Sequence, residues 1–95
     1  MFIVELTYKV PLSEVDTYLE AHINYLNEQY ELGHFIASGR KEPRDGGIIL
    51  SKLPNKETLL EILNKDPFKV HNLADYKLIE FTPSKVGKGF ENLIA

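Results

Sequence analysis

Strand and helix patterns alternate along this chain in an order that leaves few folds open. Residues 2–9 alternate between apolar and polar side chains, which is typical of a half-buried strand. Residues 14–32 carry apolar side chains at helical spacing and end at Gly33, which favours a left-handed helix stop. The segments that follow indicate two strands, a second helix and a last strand. The sequence therefore predicts the order βαββαβ, the ferredoxin-like unit of an α+β fold.

Capping and helix-breaking residues set the boundaries of these segments. Ser13 with Asp16 resembles a capping box at the first helix, and Asn55 is suited to cap the second. Pro67 disfavours helical backbone at Asp66, so the second helix should stop there. The predicted boundaries are strands at 2–9, 34–41, 48–52 and 75–82, helices at 14–32 and 55–65, a turn at 43–47 whose glycines tolerate positive φ, and an irregular or briefly helical stretch at 68–73.

Length and composition allow one domain. The chain has 95 residues, 43% of them hydrophobic, which is enough for one core and too little for two. We expect a single domain over residues 1–83 and a C-terminal tail over residues 84–95. The tail contains Phe90, Leu93 and Ile94, and three large apolar side chains favour docking on a partner subunit over fraying.

Several classes of protein are excluded by composition. The chain has no Cys, so disulfides, zinc–thiolate sites and a thiol nucleophile are absent. Its net charge of −3 argues against nucleic-acid binding, which requires a basic face. No spacing of His, Asp and Glu matches a metal signature and no cofactor motif is present, so we expect neither metal nor cofactor. The sequence has no secretion signal and no apolar stretch of membrane-spanning length, so we expect a cytoplasmic protein.

The number of helices does not match the area of the sheet. Two helices cover only one face of a four-stranded antiparallel sheet, and the other face should display residues such as Ile3, Ile49, Ile79 or Phe81, depending on register. Such an apolar face should not remain in water. Pairing two sheets face to face covers it and encloses a small barrel, so we predict a homodimer. The sequence leaves open whether dimers assemble further.

The most informative candidate for chemistry is His22. It lies on the helical stripe formed by residues 15, 19, 22, 26 and 30, whose other members are apolar or aromatic. A buried imidazole without a hydrogen-bond partner costs about 1–3 kcal/mol, so His22 needs one. Two interpretations stay open. His22 is either a core histidine bonded to a backbone carbonyl, or an imidazole oriented by a carboxylate that moves protons near neutral pH.

Asp66 is the candidate partner of His22. It ends the second helix, where its charge meets the negative end of the helix dipole at a cost of about 0.3–1 kcal/mol, which a protonated imidazole would offset. Asp66 followed by Pro67 is also typical of the cap of a short helix at 67–72. The two interpretations are compatible, because one carboxylate oxygen can cap while the other faces His22.

Ser38, Gly39 and Arg40 close the second strand and are candidates for substrate binding. Gly39 allows a ligand to approach the backbone, Ser38 can act as nucleophile or hydrogen-bond donor, and Arg40 can bind an anion bidentately. A solvated strand end explains the same residues without a ligand. Phe68 and His71, which follow the Asp-Pro corner, are further candidates for the edge of the same pocket.

Taken in order, these motifs resemble the YciI-like, or YCII-related, family over nearly the whole chain up to Pro83. The motifs that carry the resemblance are Ala21-His22-Ile23-Asn24-Tyr25-Leu26 in the first helix, Ser38-Gly39 at a strand end, and Lys65-Asp66-Pro67-Phe68 after the second helix. The resemblance implies a dimeric α+β barrel of ferredoxin-like subunits. It also implies a catalytic His–Asp dyad, which falls on His22 and Asp66.

The resemblance further implies a class of chemistry. Some members of the family are described as dehydrochlorinases of chlorinated hydroxyquinols, and proteins of related architecture include muconolactone isomerases. We therefore expect a cofactor-independent enzyme in which His22, oriented by Asp66, is the general acid/base for a small cyclic or aromatic compound. An isomerase, a lyase and a dehydrochlorinase all fit. The alternative is a non-catalytic metabolite-binding or structural dimer, in which the dyad is a buried polar anchor.

Overall fold

The computed structural model describes residues 1–94, in which helices cover one face of a four-stranded sheet. The elements are β1 (Phe2–Tyr8), α1 (Leu12–Thr17), α2 (Leu19–Glu31), β2 (Phe35–Arg40), β3 (Gly46–Ser51), α3 (Lys56–Leu63), α4 (Pro67–Val70), β4 (Ala74–Glu80) and a short 3₁₀ helix at Glu91–Leu93. The strand order is β2-β3-β1-β4, and every neighbouring pair is antiparallel. This arrangement confirms the ferredoxin-like α+β fold that the sequence predicts.

The core lies between the sheet and the helices. Phe2, Val4 and Leu6 alternate along β1 and are almost completely buried against Val15 of α1 and Leu59 of α3. This alternation is the period of two that the sequence of β1 displays. The helix-facing side of the sheet is therefore the side on which a buried site can form.

The open face of the sheet carries Ile48, whereas the sequence suggests Ile49 for this face. Ile3 pairs with Leu50 on one side and with Ile79 on the other, so these three side chains share the open face. Ile49 points to the helices and is 2% exposed, which corrects its expected position. Ile48 takes its place, because a shift of one residue moves a side chain to the opposite face of a sheet.

The first helix is broken, whereas the sequence predicts one helix over 14–32. α1 ends at Thr17 and α2 begins at Leu19, and Tyr18 between them has φ −108° and ψ 6°. The hydroxyl of Thr17 donates to the carbonyl oxygen of Ser13 at 3.1 Å. Such bonding back to the preceding turn competes with the helical pattern and often bends a helix.

The capping box predicted at Ser13 and Asp16 is wrong. α1 begins directly after Pro11 and has no side-chain cap. Asp16 instead pairs with Arg44 from the loop between β2 and β3. The cap predicted at Asn55 is confirmed, since its side-chain oxygen accepts from two backbone N–H groups of α3.

The glycines predicted to form a turn at 43–47 begin a strand. β3 starts at Gly46, and neither Gly46 nor Gly47 has a positive φ. A Cβ atom on Gly46 would lie 1.7 Å from the carbonyl oxygen of Leu6, so glycine is needed there for the close approach of β1. Gly33, in contrast, has φ 78° after α2, as its predicted role as a helix stop requires.

The C-terminal tail contacts the chain just after the end of β3. The Lys52 ammonium donates to the carbonyl oxygen of Asn92, and Phe90 is exposed. The division into a domain at 1–83 and a docking tail at 84–95 stays a prediction, and Ala95 lies outside the described residues.

Candidate active site

A histidine and an aspartate from distant parts of the chain meet beneath the helices. His22 Nδ1 lies 2.7 Å from Asp66 Oδ1. His22 comes from the inward side of α2, and Asp66 from the corner between α3 and α4. The Asp66 side chain is fully buried, while that of His22 is 12% exposed. The two groups are therefore in hydrogen-bond contact, and their role in catalysis stays a prediction.

The carboxylate of Asp66 accepts hydrogen bonds from three groups. Oδ1 accepts from the backbone N–H of Phe68 at 3.0 Å, as the cap of α4, in addition to His22. Oδ2 accepts from the hydroxyl of Tyr76 on β4 at 2.6 Å. Asp66 is thus both a cap and the partner of His22, but one oxygen serves both functions, whereas the sequence suggested one oxygen for each.

Tyrosine hydroxyls near Asp66 stay protonated. Burial, followed by the charge of Asp66, raises the pKa of Tyr76 far above its usual value of 10.0. The same two causes raise the pKa of Tyr25, whose hydroxyl donates to the carbonyl oxygen of Ile62 at 2.8 Å. Tyr76 is therefore a fixed donor to Asp66 at neutral pH. No sequence pattern singles out Tyr76, because a tyrosine in a strand breaks no local rule.

The ring of His22 is held in one orientation. Its plane stacks on the ring of Phe68, with centroids 3.9 Å apart and planes inclined by 4°. A carboxylate only accepts hydrogen bonds, so contact with Asp66 places a proton on Nδ1. Nε2 is consequently the ring nitrogen that a ligand can use.

A cavity of about 210 Å³ lies beside the His22 ring, between α2 and the part of the sheet formed by β2 and β3. Much of its wall is apolar and includes Leu6, Leu19, Leu26 and Ile49. Polar side chains of its lining come from Tyr8, Ser38, Arg40 and Arg44. A mostly apolar cavity with a few polar groups is typical of a small-molecule site.

The cavity brings together most of the residues predicted for substrate binding. Ser38, Gly39, Arg40 and Phe68 all line it. The Ser38 hydroxyl is already engaged at 2.6 Å with the hydroxyl of Tyr30. His71 does not line the cavity: its ring stacks on Tyr18, with centroids 4.0 Å apart.

Arg44 lines the cavity, although no sequence motif singles it out. Its guanidinium is hydrogen-bonded to Asp16, and this bond is the main cause that raises the pKa of Arg44 and lowers the pKa of Asp16. An arginine in a turn is usually a solvated charge, so only the folded chain reveals its position.

The described part of the chain holds neither a metal-binding cluster nor a membrane-spanning helix. Within residues 1–94, no cluster of three or more His, Cys, Asp or Glu side chains is arranged to hold a metal ion. The helices in this part of the chain are all too short or too polar to cross a membrane.

Fold and site together define a small α+β domain with a histidine–carboxylate pair beside a cavity. Residues 1–82 match the family model of the YCII-related domain, and the chain belongs to that family. No curated protein is similar enough in sequence to match.

Among solved structures, the chain is similar to 5-chloro-2-hydroxyhydroquinone dehydrochlorinase from Burkholderia phenoliruptrix AC1100, in complex with 2,5-dihydroxybenzoquinone. The TM-score is 0.71 and the sequence identity 16%, over 93% of this chain and 97% of that one. This likeness shows a shared fold, and the predicted family and fold are both confirmed.

Proposed function

We propose that the protein is a small-molecule enzyme in which His22 is the general acid/base. The observation that carries the proposal is the position of the imidazole: Nδ1 is bonded to the buried Asp66, and the ring borders a cavity. Asp66 acts as a positioning residue, because it fixes the tautomer and the orientation of the imidazole. Membership of the YCII-related family supports this assignment.

The size of the cavity favours a single ring as substrate. An apolar cavity of about 150 Å³ holds benzene, so a cavity of about 210 Å³ leaves space for a few substituents. The dehydrochlorinase of similar fold was solved with 2,5-dihydroxybenzoquinone, which is itself a single substituted ring. The proposed substrate is therefore a small cyclic or aromatic compound.

The proposed reaction is a proton transfer, which needs no cofactor. Nε2 of His22 takes a proton from a carbon or hydroxyl of the substrate, and the electron pair left behind moves into the ring. In an isomerisation, the imidazolium returns the proton to another atom of the same molecule. In an elimination, the electron pair expels a leaving group such as chloride, and the imidazolium later gives its proton to water.

Replacement of His22 tests the proposal directly. On a panel of cyclic enols, lactones and chlorinated hydroxyquinols, we expect turnover of at least one class by the unmodified protein. His22→Asn should lower kcat/KM at least about 100-fold, since a general acid/base contributes about 10²–10⁴-fold. His34→Asn is the matched control, because His34 bonds Gln29 away from the cavity and should leave the rate unchanged. An unchanged rate in His22→Asn would contradict the proposal.

The alternative function is a non-catalytic metabolite-binding or structural dimer. The complete burial of Asp66 and its three hydrogen bonds favour it, because they suit a polar anchor between α2, α4 and β4. In that case no compound of the panel turns over. His22→Asn then lowers the free energy of unfolding and has no other effect.

A further inference from the structure

We infer that Arg40 and Arg44 form an anion subsite, so that the ring bound beside His22 carries a negative charge as a carboxylate, enolate or phenolate. The inference rests on the proposed function, because it names the substrate class for the same cavity. It assigns to Arg44 a function in specificity that neither its sequence context nor the family resemblance indicates.

The charge of the cavity is opposite to that of the protein. The chain has a net charge of −3, yet two arginines line the cavity and, among residues 1–94, no aspartate or glutamate does. The nearby Asp66 is fully buried, and both of its oxygens already accept hydrogen bonds. Positive groups beside an apolar wall attract an anion more strongly than they would in open water.

Arg40 reaches the cavity from the end of β2. It pairs with Gly47 of β3, two residues beyond the pair formed by Ser38 and the core residue Ile49, so it lies on the helix-facing side of the sheet. Within residues 1–94, the Arg40 side chain takes part in none of the salt bridges. Its guanidinium is therefore available to a ligand.

Arg44 reaches the same cavity from the loop after β2 and is held in place by Asp16. A guanidinium has five N–H donors, and the bond to Asp16 uses one nitrogen, so donors remain for a ligand. Asp16 itself is half exposed and outside the cavity lining. Asp16 neutralises the charge of one of the two arginines, so one net positive charge remains beside the cavity.

Two arginines near the reacting histidine have a chemical consequence. A ring oxygen gains negative charge when His22 removes a proton from the substrate. Guanidinium groups placed next to that oxygen stabilise the charge as it develops, which is the function of an oxyanion site. Because the fork of a guanidinium matches two oxygens at once, it also orients the ring.

Benzoate and benzamide test the subsite, because they share a shape and differ in charge. By isothermal titration calorimetry at low salt, we expect the unmodified protein to bind benzoate at least about tenfold more tightly than benzamide. Arg40→Gln and Arg44→Gln should each weaken benzoate binding by about 10- to 100-fold and leave benzamide binding unchanged. Arg44→Lys, which keeps the charge, should retain part of the preference, and added salt should weaken benzoate binding alone.

Two controls separate the subsite from the proposed catalysis. Lys88→Gln removes a positive charge from the tail and should not affect either probe. His22→Asn should keep the preference for benzoate, whatever happens to turnover. Equal affinity for both probes, or unchanged benzoate binding in both glutamine variants, would overturn the subsite and leave the proposed function standing. Matching thermal midpoints of all variants will show that each is folded.

Discussion

Asp66 shows how a single residue meets a local and a distant requirement at once. Its carboxylate is fully buried, and a buried charge costs several kcal/mol unless hydrogen bonds compensate. The compensation comes from the N–H of Phe68, the hydroxyl of Tyr76 and Nδ1 of His22. The first of these bonds starts α4, and the last orients the imidazole toward the cavity.

Asp66→Asn tests this set of bonds with a change of almost no volume. An amide exchanges one acceptor oxygen for an NH₂ group, which must then face either the Tyr76 hydroxyl or the two N–H donors. We expect the free energy of unfolding in urea to fall by about 1–3 kcal/mol, because a buried hydrogen-bonding group loses its partner.

Asp75→Asn is the matched control for this experiment. Asp75 lies on β4, its side chain is 75% exposed, and it forms a salt bridge with Lys9. Exposed ion pairs contribute little, so the change should stay within about 0.5 kcal/mol. Equal stability of Asp66→Asn and the unmodified protein would mean that the three bonds do not hold the carboxylate in the way described.

Among the elements, the pairing of β1 with β3 determines the floor of the cavity. The two strands approach so closely at Gly46 that its missing Cβ atom is a structural requirement. Leu6, whose carbonyl oxygen occupies that space, is also one of the residues that line the cavity. A shift of β3 at this position therefore moves the wall of the site.

Gly46→Ala is expected to destabilise the fold strongly. The new methyl group would overlap with the backbone of Leu6, which cannot move without breaking the pairing of β1. The free energy of unfolding in urea should therefore fall by about 3 kcal/mol or more. Gly39→Ala provides the comparison, since nothing lies within 4 Å of its Cβ position. Gly39→Ala should leave stability nearly unchanged, and the same result for Gly46→Ala would refute the close approach.

The elements that the sequence predicts correctly are those whose pattern repeats along one segment. The alternation in β1 and the helical stripe through His22 are of this kind. The start of β3 at Gly46 depends instead on a contact between segments, because Gly46 lies against Leu6. No single segment contains that information, so periodicity could not reveal it.

The same distinction applies to the candidate site. His22 is conspicuous because it is polar within an apolar stripe, and Asp66 because its charge opposes a helix dipole. Tyr76 and Arg44 break no local rule, although the first bonds Asp66 and the second lines the cavity. Their contribution becomes visible only once β4 and the loop after β2 are placed.

At the scale of the whole molecule, the open face of the sheet divides into two halves. One half is apolar and contains Ile3, Leu50 and Ile79, followed along the chain by Phe81, and the last two remain 44% and 39% exposed. The other half carries charged side chains of opposite sign, and Lys41 forms a salt bridge with Glu5 there. Such a face can meet a second copy of itself without repulsion between like charges.

We therefore expect a homodimer in solution, with the open faces of two sheets in contact. Light scattering at micromolar concentration should give twice the chain mass of 10.9 kDa. Ile79→Lys places a charge in the apolar half and should give a monomer. Leu60→Lys, on the outer side of α3 and 38% exposed, is the matched control and should leave the dimer intact. A mass of one chain for the unmodified protein would show that the open face does not pair with a second copy and would contradict the prediction.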